Sequence, residues 1–416
     1  MFSWDKNKPL IVDGGLGTML HTRGLAHGEQ PDVWNITHPE VLAEVHRAYL
    51  DAGAQVVTTN TFGANRLKFP PGGKYELREV IAAAIHNARA AIQSSPNACS
   101  LTPNPYIAFD VGPSGRLLEP LGSLPFEEAV SIFREMGELA AAQGVDFFFI
   151  ETMTDLTEIR AAMIGLKEAA PEVPIFASFS VEESGRLLTG CPPAALAVTL
   201  EGLGAAALGV NCGAGPERVK KILPELKKHT TLPIISQPNA GLPVMRDGQT
   251  TFELSPEEFA RQQLELYEMG ASVMGGCCGT TPEHIKAMAR LVHGDSGRQI
   301  AAPTGAFISG SRDVVSLPAE IAAAEIEEDW DDLLDSILDL ADEGAQIVAV
   351  NVDVPGIAEG IAYIQQQVSL PLMFVSANPA CLEAALRRYT GKALVQFSGT
   401  EDIAHLLKKY GGEMAL

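Results

Sequence analysis

Eight short runs of β-branched and aromatic residues, each closing on glycine or a polar side chain, follow one another between Leu10 and Cys278. They are LIVDGG from Leu10, QVVTTNT from Gln55, YIAFDVG from Tyr106, DFFFIET from Asp146, PIFASFS from Pro174, AALGVNC from Ala206, PIISQPN from Pro233 and SVMGGCC from Ser272. Stretches of good helix formers with apolar residues at helical spacing separate them, such as PEVLAEVHRAYLDAG from Pro39 and FEEAVSIFREMGELAAAQG from Phe126. Strands this apolar are buried on both faces, as in a parallel sheet. Eight strand–helix units in succession predict an α/β fold, a (β/α)8 TIM barrel. An open doubly wound sheet is the alternative reading of the same alternation.

A barrel carries its active site where the C-terminal ends of its strands converge. The residues at those ends are Asp13, Asn60, Asp110, Glu151, Cys212, Asn239, Cys277 and Cys278. Three of the six cysteines therefore meet at one mouth, whereas Cys99, Cys191 and Cys381 follow no pattern and read as packing or surface thiols. Asn60, Thr61 and Asp110 read as supports behind the site or as caps of the barrel end, with structure the favoured role.

Neighbouring residues on a regular strand point to opposite faces, so Cys277 and Cys278 share a ligand only where the chain leaves strand geometry. Gly275, Gly276 and Gly279 permit that departure. With Cys212 as a third thiolate the set suits zinc, tetrahedral and sulfur-rich with one exchangeable position, which Asn239 could fill as a weak oxygen ligand. The adjacent pair also fits small core residues or a strained vicinal disulfide, since Cys212 and Cys277 stand 65 residues apart and no short zinc motif joins them. Zinc held by three thiolates is a poor Lewis acid toward water and leaves a bound sulfur electron-rich. That favours alkylation of a thiol, which is mostly protonated in water at its usual pKa of about 8.5 and is deprotonated on a metal.

Composition narrows the partners. The chain has 416 residues, 46% hydrophobic and 20% charged, with a formal net charge of −22. Nucleic acid and anionic membranes require clustered Lys and Arg, so small molecules or proteins are expected instead. No apolar stretch approaches the roughly 20 residues of a membrane helix. The start, MFSWDKNKPL, lacks the basic, apolar and small-residue regions of a signal peptide, and the cysteines read as thiols, so a cytoplasmic protein is expected.

Five segments carry a resemblance: DGGLGT from Asp13, PDVWNITHPEVL from Pro31, AGAQVVTTNTFGANR from Ala52, GVNC ending at Cys212, and GGCCGTTPEHI from Gly275. Together they resemble the zinc-dependent homocysteine S-methyltransferases, above all the homocysteine-binding module of cobalamin-dependent methionine synthases. The resemblance implies zinc on Cys212, Cys277 and Cys278, with Asn239 as the displaceable ligand and Glu151 as acceptor for the homocysteine ammonium. The loop of Gly14, Gly15 and Gly17 offers backbone N–H groups to the amino-acid carboxylate, although such a run is also an ordinary turn. Glu151 could equally be a salt-bridged structural carboxylate, and Asp13 either steadies the loop or lines the substrate pocket. TTPEHI has the form of a helix start, so His284 reads as a surface or packing histidine.

The organisation expected is a barrel over residues 1–297, a linker over 298–305 and a smaller α/β domain over 306–416. Strand-like runs resume there as AFISGS from Ala306, QIVAVNVDV from Gln346, PLMFVSAN from Pro371 and ALVQFSG from Ala393. From Phe307 onward there are 18 acidic and 6 basic residues, more than half of the excess negative charge. In the helical stretch from Glu328, Leu333, Ile337 and Leu340 share one face, while Asp331, Asp335, Asp339 and Asp342 form a solvated one. Through EGAQIVAVNVD, SLPLMFVSAN and LLKKYGG this domain resembles the first half of a pterin-binding barrel, but SGSRD and FVSAN stand where that family keeps its pterin-holding residues. Folate-independent chemistry is therefore expected.

Half a barrel exposes parallel edges, which predicts a homodimer or another covering subunit. The resemblance implies methionine formation from homocysteine, with methylcobalamin arriving on a separate corrinoid protein, or else a small donor such as betaine or S-methylmethionine. The rival is a non-catalytic zinc- or thiol-binding scaffold in a corrinoid methyltransferase complex.

Overall fold

The computed structural model describes residues 2–96, 105–213, 215–246, 249–292, 305–324 and 330–415. Cys99, residues 298–304 of the expected linker, and Glu328 and Asp329 lie outside them. Two compact units form: Met1–Gly185 with Ala206–Pro224 and Leu232–Ile300, and Arg186–Ala205 with Glu225–Thr231 and Ala301–Leu416.

In the first unit the eight expected strands form: β1 (Leu10–Ile11), β2 (Val56–Thr58), β3 (Tyr106–Val111), β4 (Phe147–Met153), β5 (Ile175–Phe179), β6 (Ala207–Asn211), β7 (Ile234–Gln237) and β8 (Ala271–Met274). They pair in the order β1-β8-β7-β6-β5-β4-β3-β2, and a parallel bridge from Val12 to Val56 joins the two ends. The sheet is thus a nearly closed parallel barrel, and the doubly wound alternative falls.

Side chains alternate across a strand, and the alternation sorts the barrel into layers. Every strand contributes to one buried cluster, including Val12, Val56, Ala108, Phe149, Phe176 and Ile235. Phe2 and Trp4 pack against it, with Phe2 set edge-on to Tyr106 at the start of β3. Each fully buried Val, Leu, Ile or Phe of the cluster contributes about 1.5–3 kcal/mol. Two or four residues further along the same strands the inward positions are Thr58, Asp110, Glu151, Ser178, Asn211 and Gln237. An apolar floor therefore carries a polar ceiling at the mouth.

Local signals set the helix ends. Helix Pro256–Met269 starts on a capping box, with Ser255 accepting from the Glu258 N–H, and stops at Gly270, whose φ of 114° favours glycine. Among the described residues no helix is long and apolar enough to cross a membrane.

The second unit holds a five-stranded parallel sheet, in the order β9 (Ile321–Ala323), β10 (Ile347–Asn351), β11 (Leu372–Ser376), β12 (Ala393–Phe397) and β13 (Gly412–Met414). Three of the four expected runs are β10, β11 and β12. AFISGS is not a parallel strand: Phe307–Ser309 folds back antiparallel onto Val314–Ser316, with the Gly310 N–H donating to the Asp313 carbonyl across the turn. The edge strands β9 and β13 are three residues each, too short to show a period. Helix Trp330–Asp342 buries Leu333 and Ile337, leaves Leu340 half-buried and exposes Asp335, Asp339 and Asp342, as its spacing predicts.

Candidate metal centre

Cys212 follows the last residue of β6, and Cys277 and Cys278 lie three and four residues past β8. Their sulfurs all fall within 4.8 Å of one another, with Cys212 Sγ and Cys278 Sγ 3.9 Å apart. Two backbone departures make this possible. Cys212 itself is left-handed, with φ 54°, and the Gly275–Gly279 segment leaves strand geometry, ending at Gly279 with φ 79°. The segment after β7 holds the pair in place: the Cys277 N–H donates to the Pro238 carbonyl, and the Ala240 N–H donates to that of Cys278. The Cys212 N–H donates to the Gln237 carbonyl, so one strand end aligns all three thiols.

Hydrogen bonds from Cys277 and from Cys278 hold Cys212 down to about 3, as a thiolate. The same bonds, with burial, push Cys278 up to about 12 and Cys277 well above its ordinary value. Three sulfurs with this spacing fit a tetrahedral cation, because thiolates about 2.3 Å from zinc stand about 3.8 Å apart. A candidate fourth ligand stands beside them. Asn239 approaches Cys212, and its Oδ1 is buried without a hydrogen-bond partner. A buried carbonyl oxygen left unpaired costs free energy that a cation recovers.

Beside the sulfurs the ceiling is acidic. Glu151 points into the mouth two residues on from Phe149, and the β4–β5 register breaks beside it, between Ile150 and Met153, as bulges near active sites do. Burial pushes Glu151 up to about 7, against hydrogen bonds from Asp110 and Gln237 that favour its charged form. Asp110 is pushed well above the usual carboxylate range by burial and by the neighbouring Glu151, so it is the partner that carries the proton. Asp13 accepts from the Thr58 N–H at 2.8 Å and from Thr58 Oγ1 at 2.9 Å, and burial pushes it up to about 8. Its carboxyl thereby clips β1 to β2, where the barrel closes.

Backbone crowding explains part of the glycine loop. A Cβ on Gly15 would stand 2.6 Å from the Cys277 carbonyl oxygen, and one on Gly14 would stand 2.8 Å from Thr280 Oγ1. The Gly15 N–H already donates to Thr280 Oγ1 at 3.0 Å, which corrects the expectation of an open donor there. A Cβ on Gly17 would meet nothing within 4 Å.

A family model for homocysteine S-methyltransferases matches residues 10–292. The chain belongs to the homocysteine S-methyltransferase family. Among curated relatives, a methionine synthase of Mycobacterium tuberculosis is 29% identical over 443 residues, covering 98% of this chain and 37% of the relative. That of Mycobacterium leprae is 29% identical over 438 residues, covering 94% and 36%. The chain thus spans little more than a third of these relatives. Among solved structures, the metallated form of the Escherichia coli homocysteine methyltransferase MmuM superposes with a TM-score of 0.59 at 26% identity, covering 68% of this chain and 96% of that one. Its oxidised form gives 0.57 at the same identity, covering 68% and 95%.

Within this family member the remaining expected residues separate cleanly. Asn60 and Asn35 exchange hydrogen bonds, and Asn60 also donates to the Pro31 carbonyl, so both brace the loop above β2. Thr61 donates to the Asp110 carbonyl. The Asp110 side chain hydrogen-bonds Glu151 from behind. His284 caps its helix: Nδ1 accepts from the Thr281 N–H, which leaves Nε2 to donate to the Leu254 carbonyl. Cys191 is buried and Cys381 partly so, and neither belongs to the three-sulfur cluster. The residues that sequence reading missed are Thr58, Ser178, Asn211 and Gln237. Inward alternation from Val56, Phe176, Ala207 and Ile235 is the signal that locates them.

Proposed function

We propose that this chain transfers a methyl group to homocysteine to form methionine, through zinc held by Cys212, Cys277 and Cys278 with Asn239 as the displaceable fourth ligand. The meeting of three sulfurs within 4.8 Å beside Glu151 carries this reading. Zinc supplies a Lewis acid that keeps the homocysteine sulfur deprotonated at neutral pH. The protein groups orient the substrate. Glu151 takes the ammonium, Asp13 lines the pocket while its carboxyl holds Thr58, and the loop of Gly14, Gly15 and Gly17 faces the carboxylate, with the Gly15 N–H kept by Thr280. The barrel mouth limits water while the substrate thiolate attacks the methyl carbon in line and the donor leaves with the bonding pair.

We assign the barrel to residues 1–297 and the smaller domain to 306–416, and place the protein in the cytoplasm, where thiols stay reduced. The donor in this reading is methylcobalamin on a separate corrinoid protein, without folate. Asp353 in the second unit spends its carboxylate on Ser376 Oγ and the Ala377 N–H, and Asn378 caps the following helix. No acidic residue stands in FVSAN to hold a pterin. Among the described residues β9 and β13 each pair on one side only, which supports a second copy or another subunit along an edge. Sedimentation at micromolar concentration should show a species larger than one chain.

The deciding experiment measures zinc in the purified protein and methionine formed from homocysteine with free methylcobalamin, betaine or S-methylmethionine. One equivalent of zinc and turnover with methylcobalamin are expected. Turnover with a small donor alone would replace the corrinoid. Zinc without turnover on any donor would favour a non-catalytic scaffold, and no zinc at all would end the reading.

A further inference from the structure

Only two non-glycine residues among those described have a positive φ: Thr152 at 60° and Cys212 at 54°. One follows Glu151 and the other follows Asn211, on strands β4 and β6. Asn211 is fully buried and links both places. Its Oδ1 accepts from the Thr152 N–H at 2.8 Å and from Ser178 Oγ at 2.9 Å. Its Nδ2 donates to Thr152 Oγ1 at 2.8 Å and points at Cys277 Sγ from 4.0 Å.

We infer that Asn211 is a positioning residue that locks the ammonium-binding strand end to the sulfur cluster. This rests on the functional reading above. The left-handed region is unfavourable for β-branched Thr152 and persists only where the surroundings over-determine it. Asn211 supplies that constraint by taking both the N–H and the hydroxyl of Thr152, which sets the direction of Glu151 one residue earlier. The same amide gives Cys277 an N–H donor. A donor to a metal-ligating sulfur offsets part of its negative charge and orients the ligand. Primary amides alone offer two acceptor directions and two donors from one planar group, and Gln is too long for this span. Aspartate has the same shape but loses both donors and sets a carboxylate beside three sulfurs.

The test compares the full chain with its Asn211→Asp, Asn211→Ala and Asn211→Ala/Thr152→Gly variants. Zinc affinity is measured by competition with a chromogenic chelator, and homocysteine affinity by calorimetry on zinc-loaded protein. Zinc binding is expected to weaken 10–100-fold in both single variants, the usual loss when a group behind a metal ligand is removed. In the cobalt-loaded protein the sulfur-to-metal charge-transfer band should shift. Homocysteine affinity should fall in Asn211→Ala and recover in the double variant, because glycine adopts the left-handed conformation without a clamp, while zinc affinity stays low. Should Asn211→Ala fail to fold, the isosteric Asn211→Asp carries the zinc and cobalt comparison. A zinc-loaded parent whose variants match it in zinc affinity and in the cobalt spectrum overturns this inference alone. A parent that takes up no zinc overturns the functional reading and this inference together.

Discussion

The sulfurs of Cys212 and Cys278 lie 3.9 Å apart across the mouth, although 66 residues separate them in the chain. Parallel pairing of β6 with β7 and of β7 with β8 produces this approach, and the left-handed turn at Cys212 completes it. Removing either sulfur should therefore cost the metal before it costs the fold. Cys278→Ser is expected to lose most bound zinc and to reduce methionine formation at least 100-fold, with little change in thermal midpoint for the metal-free protein. Metal analysis after dialysis, beside turnover, checks this. Full zinc and full activity in Cys278→Ser would remove the basis of the proposed chemistry.

Glu151 should act on substrate and not on metal. A charge-assisted hydrogen bond contributes about 1.5–3 kcal/mol, so Glu151→Gln should raise the KM for homocysteine by roughly 10- to 150-fold. Its zinc content should match the parent. A metal loss in this variant would instead make Glu151 part of the metal shell.

Asp110 gives the pair with Glu151 a pH signature. Burial raises Glu151 to about 7, and the Asp110 hydrogen bond opposes that rise. A carboxylate with a raised pKa is neutralised as pH falls through that value, so homocysteine affinity should drop below about pH 7. Asp110→Leu removes the donor and should move the inflection to higher pH, whereas Asp110→Asn keeps a donor and should leave it nearby. An affinity profile between pH 5.5 and 9 that is identical in parent and Asp110→Leu would show that the two carboxyls act independently.

His46 sets an acid limit on stability. Its ring is buried with neither nitrogen hydrogen-bonded, and burial lowers it from 6.5 to about 4. The unfolded chain therefore binds a proton that the folded chain refuses between those values, and stability falls as pH drops through this window. Each unit of difference is worth about 1.4 kcal/mol, so the loss is on the order of 3 kcal/mol by pH 4. Urea midpoints at pH 7.5 and 5 should converge in His46→Leu relative to the parent. Equal acid sensitivity in both proteins would assign the effect to other groups.

Local pattern alone was enough to read the barrel strands, the strand-end placement of Cys212, Asn239, Cys277 and Cys278, and the helix start at TTPEHI. Burial on two faces leaves a continuous apolar run, helices leave a 3.6-residue stripe, and caps leave their own short signatures, all within a few residues. Other features needed the folded chain. Closure between Val12 and Val56, the antiparallel course of Phe307–Ser309, and the edge strands β9 and β13 depend on partners far away in sequence. The hydrogen bond between Asp110 and Glu151, the engagement of the Gly15 N–H by Thr280, and the grip of Asn211 on Thr152 depend on register between strands and on backbone angles. A linear pattern records which face a residue takes. It carries no distance between side chains that only barrel closure brings within hydrogen-bonding reach.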